Sequence, residues 1–170
     1  MYHVVKTYGH ENGFSAVFRQ WRATHSHCQY LHGYALAFRF VFESEDLDEN
    51  NWVIDFGNLK EIKEWLKSVF DHKLIVAEDD PEKDEICALA GLGIADVLVI
   101  PSTGCEGFAK FVYDHTCEWL MSIGRPNAPR LASVTVSEHG ANSACYEARN
   151  EIPPMRTVHA RAEFNDSIPY

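Results

Sequence analysis

Residues 33–45 read Gly-Tyr-Ala-Leu-Ala-Phe-Arg-Phe-Val-Phe-Glu-Ser-Glu, and the reading of this stretch decides the fold. Side chains alternate across a strand, so Tyr34, Leu36, Phe38, Phe40 and Phe42 share one face, while Ala35, Ala37, Arg39, Val41 and Glu43 share the other. An aromatic row of this kind needs a second layer. One follows an acidic turn at 45–51, where Leu59, Ile62, Trp65, Leu66, Val69 and Phe70 recur at helical spacing. The helix and the strand are expected to bury each other's apolar faces, with Asp55 or Asn58 capping the helix start. Upstream, residues 13–20 (Gly-Phe-Ser-Ala-Val-Phe-Arg-Gln) have the β-branched and aromatic content of another strand. The connection between the two strands is too long for a tight hairpin.

Further along, Asp80 and Pro81 open a short helix ending near Gly91 or Gly93, and residues 97–100 form a brief buried strand. Thr103 and Glu106 have capping-box spacing ahead of a helix carrying Phe108, Phe111, Val112, Trp119 and Leu120 to about Gly124. Residues 125–129 are turn material. A strand over 130–137 runs into Glu138-His139-Gly140, and 143–148 is its hairpin partner. The order predicts an α+β fold, with helices on one face of an antiparallel sheet. One domain is expected over 1–150, with an extended C-terminal arm over 151–170 where the composition turns polar around Pro153 and Pro154.

Composition limits the functional classes. The 170 residues carry a formal charge of -10, which argues against general nucleic-acid binding because phosphates are met by Lys and Arg clusters. No long apolar run predicts a membrane span, and residues 1–13 contain no secretory h-region, so a cytoplasmic protein is expected. The five cysteines are odd in number and form no Cys-x-x-Cys pair, which favours neither a disulfide framework nor a cysteine-rich zinc site.

Chemistry concentrates just ahead of the aromatic strand. Cys28 precedes His32 by four residues, and Arg19, Arg22, His25 and His27 make this the most basic stretch of an acidic chain. Such neighbours can lower a thiol's pKa and hold an anionic substrate; a solvated loop is the plainer reading. Asp71-His72 at a helix end can relay protons if the carboxylate fixes the imidazole's tautomer, or can merely end the helix. Glu138, at a strand end, can accept two parallel N–H donors from a heterocycle edge, or be an ordinary exposed loop acid.

Together these features resemble the family of 6-pyruvoyl- and 6-carboxy-tetrahydropterin synthases. The resemblance runs from Phe14 to Tyr146 through Phe14-Ser-Ala, Cys28-x-x-Leu-His32-Gly, Val53-Ile-Asp55-Phe-Gly-x-Leu59-Lys, Asp71-His72-Lys73, Glu106 with Ala109, Val136-x-Glu138 and Ala144-x-Tyr146. It implies the tunnelling fold, an antiparallel four-stranded sheet with two main helices on one face. It also implies ring-forming, hexamer-like homo-oligomers with active sites between subunits. By the same resemblance Cys28 is the proton-transfer thiol, Asp71 and His72 are its partners, and Glu138 anchors a pterin such as 7,8-dihydroneopterin triphosphate. Arg19 and Arg22 are expected to help hold that substrate. The implied activity is a 6-carboxy-tetrahydropterin synthase-type lyase making 7-deazaguanine or queuosine precursors. Triphosphate elimination of the 6-pyruvoyl type and a non-catalytic pterin-binding protein are the alternatives.

Two departures qualify the expectation. Family zinc is held by three histidines, but here Phe18 and Tyr34 occupy two of the ligand positions and only His32 remains. Either His27 or His25 completes a rearranged zinc site with His32, or the pocket works or binds without metal. The second departure is a long segment near 75–102, expected to be a surface insertion or a cover for the pocket or an oligomer edge.

Overall fold

The computed structural model describes residues 1–123 and 129–148; the turn read at 125–129 and the arm at 151–170 fall almost wholly outside them. Among the described residues, seven strands and three α-helices follow in the order β1 (Tyr2–Tyr8), β2 (Phe14–Phe18), β3 (His32–Ser44), α1 (Lys60–Phe70), β4 (Lys73–Ala77), α2 (Lys83–Gly91), β5 (Val97–Ile100), α3 (Cys105–Ile123), β6 (Arg130–His139) and β7 (Asn142–Glu147). The strands form one sheet in the order β5-β4-β2-β3-β6-β7, with β1 also paired to β3. The expected four-stranded antiparallel sheet is therefore corrected: the sheet is larger and mixed, because β4 runs parallel to both β2 and β5.

The long strand β3 is the spine. Its first part, His32 to Leu36, pairs with β2, and its second part, Phe38 to Ser44, pairs with β1. On its other edge lies β6, with a register shift between Val41 and Phe42. The aromatic row behaves as its period-two pattern demands: Leu36, Phe38, Phe40 and Phe42 are each at most 1% exposed. Burying one such side chain stabilises by roughly 1.5–3 kcal/mol. The rings interlock with the helices and with β2: Phe38 and Phe70 centroids are 4.8 Å apart, Phe70 and Phe108 5.4 Å, and Phe14 of β2 and Phe38 5.5 Å. The opposite face of β3 carries Arg39 and Glu43, the latter buried and paired with Arg130 of β6.

The segment read as an insertion is a strand-helix-strand unit that extends the sheet. Leu74, Ile75, Val76 and Ala77 are all buried, so β4 has the continuous apolar run of a parallel strand covered on both faces and lacks the alternation that marks a half-buried one. The helix caps also differ from expectation. Asp55 Oδ1 accepts from the Gly57 N–H at 2.8 Å, and α1 begins after Leu59 with no side-chain cap. Thr103 turns its hydroxyl to the Arg19 carbonyl, 2.5 Å away.

The β1 strand is tied to the start of α1 by the buried Tyr8 hydroxyl, which donates to the Leu59 carbonyl at 2.6 Å; burial pushes the phenol up to about 12. Tyr8→Phe removes this donor and strands the carbonyl. It is expected to lower stability by about 1–2 kcal/mol, read as a drop in urea midpoint at unchanged slope. Among the described residues, no helix is long and apolar enough to cross a membrane.

Candidate active site

The site forms where β2, β3, β6 and the start of α3 meet. Phe18 ends β2 opposite His32, which begins β3. Two residues on, Tyr34 projects to the same face of β3. The three rings pack together, with centroids 4.9 Å apart for Phe18 and His32, 5.6 Å for His32 and Tyr34, and 6.3 Å for Phe18 and Tyr34. Phe18 is fully buried and also meets Phe108 of α3 edge-on at 4.9 Å. It is a core ring that closes the floor of the site.

His32 Nδ1 lies 2.8 Å from the Tyr30 carbonyl. A carbonyl only accepts, so Nδ1 carries the proton and Nε2 of the neutral ring presents a lone pair. Nε2 is buried and has no hydrogen-bond partner among the described residues, an arrangement that costs roughly 1–3 kcal/mol unless a ligand answers it.

Glu138 enters from β6. Val134 and Val136 face the core, and alternation carries Glu138 to the same side, at the register shift between Ser137 and His139. Its carboxylate lies beside Cys105, the first residue of α3, whose buried thiol is pushed up to about 12 by desolvation first and by the charge of Glu138 second. Tyr34 is pushed upward by burial, then by Glu138, Cys28 and Cys105. Cys28, Tyr34, Cys105 and Glu138 are thus electrostatic neighbours, and the His139 ring stands 6.0 Å from Tyr34. Cys105 and His139 were missed in the sequence. Gly104, with a φ of 96°, makes the turn that delivers the Cys105 thiol at the helix start.

Asp71 and His72 are not brought to this cluster within the chain. His72 Nδ1 is 2.6 Å from Asp71 Oδ1, and the ring is exposed. Lys73 pairs with Ala16, so the dyad lies beside Ser15, about three strand residues or roughly 10 Å along β2 from Phe18. His72 also has a φ of 57°, a left-handed conformation costing a non-glycine residue about 1–2 kcal/mol, of the kind retained at functional positions.

Arg19 and Arg22 are already paired inside the chain. The Arg19 guanidinium donates to both oxygens of Asp80, at 2.8 and 2.5 Å, and to Glu82, while Arg22 reaches Asp79 at 2.5 Å. Hydrogen bonding from Arg19 holds the Asp80 carboxyl below the usual carboxylate range against the opposing effect of burial. A depressed folded-state value means that this stabilisation is present above the unfolded value, about pH 4, and is lost as pH falls through the folded one. The urea midpoint of the native chain is expected to fall more steeply below pH 4 than that of Asp80→Asn.

The resemblance to the tetrahydropterin synthases implies zinc at this site. Phe18 fills one ligand position with a buried ring, Tyr34 fills another, and His27 is exposed on the loop. Among the described residues, no three His, Cys, Asp or Glu side chains converge to hold a metal ion. The residues present do not fit zinc held in the family's way.

Comparison with known proteins bears on the family and the fold. A family model described as 6-pyruvoyl tetrahydropterin synthase matches residues 8–149. A 6-carboxy-5,6,7,8-tetrahydropterin synthase of Aquifex aeolicus is 27% identical over 124 residues, 71% of this chain and 75% of that protein. The homologous enzyme of Rickettsia felis is 39% identical over 56 residues, 32% of this chain; the match spans only 41% of that relative. Among solved structures, an uncharacterized protein of Wolinella succinogenes superposes with TM-score 0.71 at 18% identity, covering 86% of this chain and 97% of that one. The 6-pyruvoyltetrahydropterin synthase of Plasmodium vivax gives 0.55 at 16% identity, covering 87% and 99%. The family match and the fold define a pterin-synthase type of protein. The chain belongs to the 6-pyruvoyl tetrahydropterin synthase family.

Proposed function

We propose that the chain is a pterin-processing lyase of the 6-carboxy-tetrahydropterin synthase type, acting on 7,8-dihydroneopterin triphosphate in 7-deazaguanine precursor synthesis. The observation that carries this reading is the gathering of Cys28, Cys105 and Glu138 about Tyr34, whose ring packs 5.6 Å from that of His32, with Nε2 of that imidazole buried and unpartnered among the described residues. Glu138 accepts the amino and ring N–H groups of the pterin in a paired, charge-assisted contact. That contact fixes the heterocycle and brings its side chain toward β3. There His32 Nε2 accepts from a side-chain hydroxyl, and the protonated Tyr34 phenol donates to a side-chain oxygen. Cys28 moves the proton at the reacting carbon.

Asp71 and His72 are assigned to the same reaction from a neighbouring subunit of a homo-oligomer, since their own chain holds them away from Cys28. Because the donor set does not fit the three-histidine zinc, polarisation is assigned to Tyr34 and His32. The same observation supports a second reading, a pterin-binding protein without turnover.

Incubating the purified chain with 7,8-dihydroneopterin triphosphate, with chelator or with added zinc, tests the proposal. A 6-carboxy product at equal rates under both conditions is the expected result. A 6-pyruvoyl product reassigns the reaction, and binding without product supports the second reading. Glu138→Ala is expected to abolish pterin binding, and unchanged affinity would remove the basis of both.

A further inference from the structure

The loop between β2 and β3, residues 19–31, delivers Cys28 through a series of turns. Ala23 N–H donates to the Gln20 carbonyl, Ser26 N–H to the Ala23 carbonyl, and Cys28 N–H to the Ser26 hydroxyl, at 2.9, 2.9 and 3.2 Å. The loop is closed on itself by the Gln20 N–H donating to the Cys28 carbonyl at 2.8 Å. Any displacement of Gln20 is thereby passed directly to Cys28.

Both neighbours of that closure are fastened to the strand-helix-strand unit or to the turn that leaves it. On the near side, Arg19 donates to both oxygens of Asp80, a carboxylate whose side chain is only 1% exposed, and also to Glu82. Its carbonyl receives the Thr103 hydroxyl. On the far side, Trp21 Nε1 and Arg22 both donate to Asp79, at 3.1 and 2.5 Å, with the Arg22 guanidinium 4.2 Å from the Trp21 ring centroid. Between them, the Gln20 side chain lies over Gly104, where any Cβ would collide with it. Asp80 is held in turn by accepting the Glu82 N–H at 2.9 Å.

We infer that the turn between β4 and α2 is a clamp for the Cys28 loop, with Asp80 and Arg19 as positioning residues that act through Gln20. A bidentate guanidinium-carboxylate pair fixes direction as well as distance, which a single point charge does not. The partner carboxylate is buried, so solvent screening of the pair is weak. The segment that departs most from the family pattern in length thus sets the position of the thiol. Arg19 and Arg22 serve the site through this clamp, with their charges answered within the chain. The activity part of the inference rests on the proposed lyase reaction; the geometric part does not.

The test measures iodoacetamide alkylation of Cys28, resolved from the other cysteines by peptide mass spectrometry, in the native full chain, Asp80→Asn and Asp80→Glu. Asp80→Asn is expected to raise the Cys28 rate about tenfold through local opening of the loop. Cys87 and Cys145 should keep their rates, and Asp80→Glu should recover part of the native protection. An unchanged Cys28 rate overturns the clamp, and so does an equal rise at every cysteine. If Asp80→Asn does not fold, Thr103→Val and Asp79→Asn remove single bonds from the same clamp and carry the same two outcomes. In the activity arm, kcat falls in Asp80→Asn while KM holds; a raised KM at constant kcat would place Arg19 on the substrate and overturn the inference. Absence of turnover in the native chain sinks the lyase reading and leaves the alkylation result to decide the clamp.

Discussion

Cys28→Ala is expected to fold as the native chain does, to bind the pterin with unchanged affinity, and to lose about 10²–10⁴-fold in kcat. The thiol is half-buried in a loop whose closure runs through backbone groups: the Cys28 carbonyl accepts from Gln20 and its N–H donates to Ser26. Alanine keeps both bonds. Glu138, which holds the heterocycle in this reading, is untouched on β6. A general acid or base contributes in the transition state and little to ground-state binding, so the loss should fall on kcat alone. Steady-state kinetics with a separate equilibrium measurement of pterin affinity make the check. A parallel loss of affinity would mean that the thiol holds substrate and does not move its proton.

The second large effect is on stability. The Phe108 ring is fully buried and packs edge-on against both Phe18 and Phe70, at 4.9 and 5.4 Å. Phe108→Ala removes the transfer energy of the ring and leaves a cavity beneath the site, costing about 3–5 kcal/mol. For a domain of ordinary stability, about 5–15 kcal/mol, this is a large fraction. Urea unfolding of the variant should show it as a lower midpoint. Because Phe108 supports Phe18, and Phe18 is the wall against which His32 is packed, the variant should also lose pterin affinity. Phe38→Ala, equally buried but farther from the site, offers a stability-matched comparison that separates the two consequences.

Much of this was legible in the chain. The β3 strand and its aromatic row were readable because one face is buried and the other is not, so Leu36, Phe38, Phe40 and Phe42 stand out at period two. Helix α1 was readable for the equivalent reason at helical spacing, and its observed span, Lys60–Phe70, follows the apolar stripe. The β4 strand was not, because Leu74 to Ala77 are all buried and show no period. The β1 strand was obscured for the opposite reason: most of its residues are exposed or half-exposed, and it is recognised only by its pairing with β3.

In the site, Cys28 and His32 are singled out by residue type and spacing, whereas Glu138 reads by itself as an ordinary loop acid and takes its anchoring role only from the family resemblance. Cys105 is not singled out, since a thiol at a helix start carries no local mark of the carboxylate it meets from a strand 33 residues later. The arginines show the limit most clearly. A basic stretch beside a thiol looks like an anion site until its partners, about 60 residues downstream in the sequence, are seen to occupy it.

That separation governs the order in which the molecule can be completed. Arg19 bonds to a carboxylate 61 residues later and receives a hydroxyl 84 residues later, so the Cys28 loop gains its contacts only after the chain has been made through Thr103. Loop-closure entropy must be met before such distant contacts repay it. During refolding, the amides of Gln20, Ala23 and Cys28 are therefore expected to gain hydrogen-exchange protection after those of β3 and α1. Activity should appear with that late phase, and a scaffold with its sheet and helices already in place would still be catalytically silent.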